Sequence, residues 1–368
     1  MASNYLDDLE FDWVFWRDNP VVRSLGGLVD PGYLDNFKRM LCSRIAGALR
    51  SSLDVHQQRD WADQLERLTL VFVDNGDINM LATQAIDRRS IIVDIELLTR
   101  LWHLLAVSLA DSEFLGNLLE SQAPGSSTQD IVFDAYVTDS SWVVSAPHQW
   151  SHERVNFLST MFDVAIDFLI YHELAHHARA HLELVHEDLG ANSIDEQENL
   201  HYNVATEEHG LNLLRFIEFD ADHHALDLFM IALEERKPME QYDEEGSRTR
   251  AFVDSLCILC VFLLFDLEYI SISESYEGTH PPAVHRAMRA TNELVTTWAA
   301  MCDWTDQDRI DVHDEAWCAA ARVAELLGMP EGRWHGESMS GMNADRLYTE
   351  ETGFFEFSRR LDSLNAES

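Results

Sequence analysis

Over residues 68–94 the hydrophobic period drops from that of a helix to that of a strand, and this limits the chain to folds that set a small sheet among helices. The run LTLVFVD over 68–74 is apolar and β-branched, Asn75-Gly76-Asp77 is a turn, and residues 78–84 read as a partner strand. SIIVD over 90–94 supplies a third strand, and 95–110 returns to a helical period. The expectation is a small antiparallel sheet that feeds a helix. Residues 1–66 are patterned as helices around a turn at Asp30-Pro31-Gly32. Helical periods recur over 211–233, 249–270 and 282–301, so the fold class is α+β and mostly helical. Residues 111–150 are mixed, with a loop over 123–128 and a strand over 131–137.

Charge narrows the range of partners. Asp and Glu number 65 against 26 Lys and Arg, a formal net charge of -39. Phosphate would be repelled, which argues against nucleic acid and against an anionic membrane surface. The five cysteines are odd in number and scattered, so a disulfide framework is not expected and a reducing compartment is. Cys257 and Cys260 have CxxC spacing, but their neighbours are apolar and no second pair accompanies them, which points to a buried helix. The start, MASNYLDDLEFDWVFW, has no basic segment followed by an apolar one. The longest uncharged apolar run, 255–265, falls well short of the ~20 residues that span a bilayer. A cytoplasmic protein with no membrane insertion is expected.

Chemistry concentrates on one helix. Met161, Ala165, Phe168, His172 and Ala175/His176 share a face, so 161–184 reads as a helix that carries His172-Glu173-Leu174-Ala175-His176. Histidines one turn apart in an HExxH motif can both reach a zinc ion at ~2.0–2.1 Å, and the glutamate stands beside the open coordination position. Glu173 is then the general base, taking a proton from water and passing it to the leaving amine. Downstream, EFDADHHA over 218–225 lies in a second helical stretch with Glu218 and Asp222 one turn apart. Glu218 can complete a His2Glu set, and Asp222 can accept the other ring N–H of a ligand histidine and orient it. Other imidazoles, at His177, His181, His186, His209, His223 and His224, are also on offer. The position six residues after His176 is Leu182, which excludes an HExxHxxxxxH zinc site. Residues 183–208 are rich in Asp and Glu without Lys or Arg and read as a solvated loop.

Four segments together resemble a family of zinc metallopeptidases, the gluzincins that include the HtpX-like proteases, the CAAX-prenyl endopeptidases and the minigluzincins. They are the strands over 68–93, the HELAH helix, the EFDADHHA segment, and THPPAVHR over 279–286. The resemblance implies a zincin-like core with an HExxH active-site helix and one Zn2+ per chain. It implies that Glu218 is the third ligand and Asp222 the orienting carboxylate, and it places His280 and Arg286 at the active site. His280 would steady an oxyanion or cap the metal, and Arg286 would hold substrate or the site itself. It also implies that an extended peptide adds antiparallel to an exposed strand edge formed by Ile78, Asn79, Met80, Leu81 and Ala82.

The resemblance covers roughly residues 66–110 and 160–295. The expected organisation is an N-terminal helical region over 1–65, a metallopeptidase domain over 66–295 with an insertion at about 111–160, and a C-terminal helical region over 296–368. The leading expectation is a zinc-dependent endopeptidase acting on protein or peptide, either broad in range or gated toward one protein substrate with 183–208 as a lid. The alternative is a non-catalytic zinc-binding scaffold.

Overall fold

The computed structural model describes residues 17–30, 34–56, 68–74, 76, 78–85, 88–110, 152–189, 193–195, 208–237, 241–272, 283–329 and 334. Helices α1 (Pro20–Ser24) and α2 (Asn36–His56) precede the strands β1 (Thr69–Val73), β2 (Met80–Ala85) and β3 (Arg88–Asp94). Then come α3 (Ile95–Ala110), α4 (His152–Ala178), α5 (His181–Leu189), the short strand β4 (Ser193–Asp195) and α6 (Glu208–Arg236). Helices α7 (Glu244–Ile272), α8 (Ala283–Met301) and α9 (Asp306–Leu326) follow. The mostly helical α+β class is as expected. The mixed region expected over 111–150, with its loop at 123–128 and its strand at 131–137, lies outside the described residues.

The sheet is small but its topology differs from the wholly antiparallel sheet expected. Its order is β1-β3-β2-β4, with β1 parallel to β3 and the other pairs antiparallel. The turn at Gly76, whose φ of 87° suits glycine, therefore ends β1 without folding β2 back onto it. The reason is burial. Ser90, Ile91, Ile92, Val93 and Asp94 are all 0–1% exposed, so β3 is covered on both faces and must pair on both edges, and it takes the central place. Val71, Leu81 and Ile92 turn to one face and meet Val22 of α1. Leu70, Phe72, Met80, Ile91 and Val93 turn to the other and join the helical core.

Asp94 closes β3 and starts α3 at once, because its carboxylate accepts the Glu96 amide at 2.8 Å. The helical layer is organised around α7. From Ala251 to Phe265 nearly every side chain of this helix is buried, and it packs against α3, α4, α8 and α9. Two buried acids, Asp254 and Asp266, sit on this helix, and each has a partner. Asp254 pairs with Arg250 at 2.8 Å, and Asp266 accepts the indole N–H of Trp334 at 2.9 Å. Cys257 and Cys260 are fully buried and free, and burial pushes both thiols well up, so the core-helix reading holds and neither supplies a thiolate. One apolar cluster runs from Leu41 of α2 through the sheet to Trp317 of α9 and Trp334, so residues on both sides of 66–295 share a core.

The long helix expected over 161–184 is two helices. It begins earlier, at His152, and breaks after Ala178, where Ala180 adopts φ 56° before α5 begins. The expected loop over 183–208 likewise starts inside α5 and includes β4. Leu182, Leu184 and Val185 are buried against Ala82, Leu213 and Ile217, an apolar stripe that the surrounding acids mask in the sequence.

The C-terminal end of α4 is tied to the sheet. His177 Nε2 donates to the Ser90 carbonyl at 3.1 Å, and Arg89 reaches Glu183 at 2.9 Å. Burial, aided by Arg89 and opposed by the Ser90 carbonyl, pushes the His177 pKa down to about 3 from the usual 6.5. Between those two pH values only the unfolded chain binds this proton. Its contribution therefore makes unfolding easier by about 1.4 kcal/mol for each pH unit of acidification. Urea unfolding at pH 7, 6 and 5 should show a shallower loss of stability in His177→Gln than in the wild type.

Candidate metal centre

Helices α4 and α6 pack side by side, and their contact line carries the ionisable groups. On α4, His172 and His176 are one turn apart and each 1% exposed. On α6, Glu218 is 1% and Asp222 3% exposed, again one turn apart. The flanking residues explain why such groups can sit inside. Phe168, Ile170, Tyr171 and Leu174 on α4, and Ile217, Phe219 and Ala221 on α6, bury apolar surface around them.

The donor atoms converge. His172 Nε2 lies 3.0 Å from His176 Nε2 and 3.3 Å from Glu218 Oε2, and His176 Nε2 lies 3.7 Å from Glu218 Oε1. Ligand atoms at about 2.05 Å from one tetrahedral zinc stand about 3.3 Å from one another, so the three residues fit a single small cation. Buried His172, His176 and Glu218 could therefore hold a metal ion.

The support around these ligands is ionic. His172 Nδ1 meets Asp222 Oδ1 at 3.0 Å, so the Nδ1–H is directed to the carboxylate and Nε2 faces the cluster. Arg286, on α8 and 4% exposed, donates from Nε and Nη2 to the two Asp222 oxygens, each at 2.8 Å, and its Nη1 lies 3.1 Å from Glu218 Oε2. Burial works against the Asp222 charge, but Arg286 and His172 outweigh it and hold the carboxyl below its usual range. Burial likewise opposes a charge on His172, yet Asp222 and Glu218 overcome it and raise its pKa well above 6.5. Burial and the charge of His172 drive His176 well below that value.

The expected site residues, His280 excepted, can be placed. His172, His176, Glu218, Asp222 and Arg286 come together, and Glu173 lies between the two histidines in sequence, 1% exposed. Of the two roles expected for Arg286, the geometry matches holding the site, since it contacts the carboxylates. His280 lies outside the described residues. Ile78, Asn79, Met80, Leu81 and Ala82 are all buried, and the strand edge expected to be exposed is covered in part. β4 pairs with β2 through Leu81↔Asp195, Ala82↔Ile194 and Thr83↔Ser193. The short strand β4 covers that part of the edge, and its sequence carries no strand signal long enough to anticipate this.

Among the other histidines, His177 turns to the sheet. His223 belongs to a more exposed group with Asp227 and Glu293, where its Nδ1 contacts Glu293 and its Nε2 lies 3.9 Å from Asp227. The Glu293 carboxylate raises the His223 pKa, so this group behaves as an ion pair. Two residues that the sequence does not mark as partners meet behind the centre. His181 Nδ1 lies 3.0 Å from His176 Nδ1, and its Nε2 lies 2.9 Å from Asp220 Oδ2. Asp220 is within the EFDAD segment, and that proximity was the available signal.

Comparison of the chain with protein-family models, with curated proteins and with solved structures returned no match. Among the described residues no helix is long and apolar enough to cross a membrane.

Replacing Arg286 with Met should leave Asp222 and Glu218 buried without their cation. Chemical denaturation of the metal-free protein should show a loss of about 3–5 kcal/mol.

Proposed function

We propose that this chain is a zinc-dependent endopeptidase of the gluzincin kind, with a zincin-like core. The observation that supports it is the set of two imidazole nitrogens and one carboxylate, buried and spaced as three corners of a tetrahedron, with Glu173 next to the first histidine. His172, His176 and Glu218 would hold one Zn2+. A zinc ion there supplies Lewis acidity, polarising a carbonyl oxygen and acidifying a water molecule.

The chain's own residues do the rest. Glu173 accepts a proton at its carboxylate from the attacking water and returns it to the leaving nitrogen of the scissile bond. Asp222 keeps the His172 N–H directed away from the metal side, and Arg286 neutralises Asp222 and stands beside Glu218 so that the two carboxylates can share one buried space. His280 is assigned the oxyanion by resemblance. The substrate is a protein or peptide. An extended chain would dock along 78–82, where β4 now lies on part of β2, and this arrangement fits the gated form of the enzyme better than a broad one.

Burial of all three ligands to 1% favours one other reading, a structural metal in a non-catalytic scaffold. Elemental analysis and a peptidase assay separate the two. The expectation is about one zinc per chain in the wild type, lost in His176→Ala and Glu218→Ala and kept in Glu173→Gln. With a cleavable substrate in hand, Glu173→Gln should lower turnover by about 10²–10⁴-fold. Zinc retained with no cleavage above background in either the wild type or Glu173→Gln would leave the scaffold reading standing. Digestion of unfolded casein by the wild type would point to the broad form, and resistance of casein to the gated form.

A further inference from the structure

His181 and Asp220 belong to neither candidate metal group, yet they are 0% and 1% exposed and joined to the metal centre by a line of hydrogen bonds. His176 Nδ1 to His181 Nδ1 is 3.0 Å, and His181 Nε2 to Asp220 Oδ2 is 2.9 Å. The protons along this line can be assigned. A carboxylate only accepts, so His181 Nε2 carries the N–H, and a neutral imidazole has one such proton. His181 Nδ1 is then a bare acceptor. His176 must donate to it from Nδ1, which leaves the lone pair of His176 on Nε2, the atom facing His172 and Glu218. The opposite arrangement would put a proton on the metal-facing nitrogen.

Two features indicate that this line is built and not incidental. On an unbroken helix, residues five apart point about 140° from one another, so His176 and His181 would not meet. The break at Arg179–Ala180, with Ala180 at φ 56°, turns the chain so that they do. Asp220, for its part, sits about 200° around α6 from Glu218, off the face that carries Glu218 and Asp222. It is held there by Arg179, whose Nε donates to Oδ2 at 3.0 Å and whose Nη2 donates to Oδ1 at 3.4 Å, while His224 Nε2 lies 3.7 Å away.

We propose that His181 and Asp220 are a positioning pair that fixes His176 in its metal-binding tautomer, so that each ligand histidine is oriented by a carboxylate, His172 directly by Asp222 and His176 through an intervening imidazole. This inference rests on the metal-centre reading. Neither residue touches the metal or the substrate; both act through His176.

The test is the zinc dissociation constant of the full-length protein, measured by competition with a chromophoric chelator, together with the melting temperature of the metal-free protein. His181→Phe should weaken zinc binding by about 10–100-fold, and Asp220→Asn, which keeps an acceptor but removes the charge, by a smaller factor. Because Asp220 works through His181, the double variant should bind no more weakly than His181→Phe alone. His181→Gln, which restores an acceptor oxygen, should recover part of the loss. Affinities within about twofold of wild type in both single variants overturn the proposal even if their melting temperatures fall, as does a double variant whose losses add. Should His181→Phe fail to fold, Asp220→Asn and His181→Gln decide the matter in the same way. A wild type that binds no zinc removes the metal centre and the pair with it, whereas tight binding unaffected by these changes removes the pair alone.

Discussion

The structure depends on one buried guanidinium. Arg286 stands against Asp222 and Glu218 in the space between α4, α6 and α8, where two carboxylates and two imidazoles are almost wholly removed from water. Carboxylates at such depth repel one another and are poorly solvated, and each is tolerable only with a compensating charge at hydrogen-bond distance. The fork of Arg286 matches both oxygens of Asp222 and still reaches Glu218, so one residue from α8 sets the spacing between groups on α6. Its plane also lies 5.2 Å from the Phe262 ring on α7, which joins the ionic centre to the apolar core.

That core explains how the centre is held still. Helix α4 is enclosed by α2, α3, α6, α7 and the sheet, and α7 is enclosed in turn, so neither can shift without disturbing most of the molecule. The sheet contributes anchorage at the end of α4, where His177 and Arg89 bind across to α4 and β3. Two adjacent histidines thus have opposite duties. His176 faces His172 and Glu218, and His177 faces the backbone of Ser90, and burial disfavours a charge on either ring. The acidic surplus of the chain is absorbed differently in different places. Buried Asp167, Asp220 and Asp254 each have an arginine beside them, whereas buried Asp266 accepts an indole N–H and Asp94 a backbone amide.

What the sequence by itself determined is local and periodic. The switch of period at residue 68, the apolar run of α7 and the face shared by Met161, Ala165, Phe168 and His172 are properties of spacing, and spacing decides which side chains share a face before any tertiary contact exists. Paired residues one turn apart, His172 with His176 and Glu218 with Asp222, were legible for the same reason. That these two pairs should meet was inferred from ligand chemistry and supported by resemblance, and the packing of α4 on α6 brings them together. Only the tertiary structure decided the order of the strands, because a turn signal reports where a chain bends and not which neighbour it then pairs with. The central place of β3 follows from burial on both its faces. Only the tertiary structure, too, laid β4 along part of the edge of β2 and broke the helix at Ala180. A left-handed alanine has no sequence signature, and its conformation is held by the contacts on either side: His181 against Asp220, and Leu182 and Val185 against the sheet and α6. Direction in space beyond one helical turn is set by such contacts, and these are summed over residues far apart in the chain.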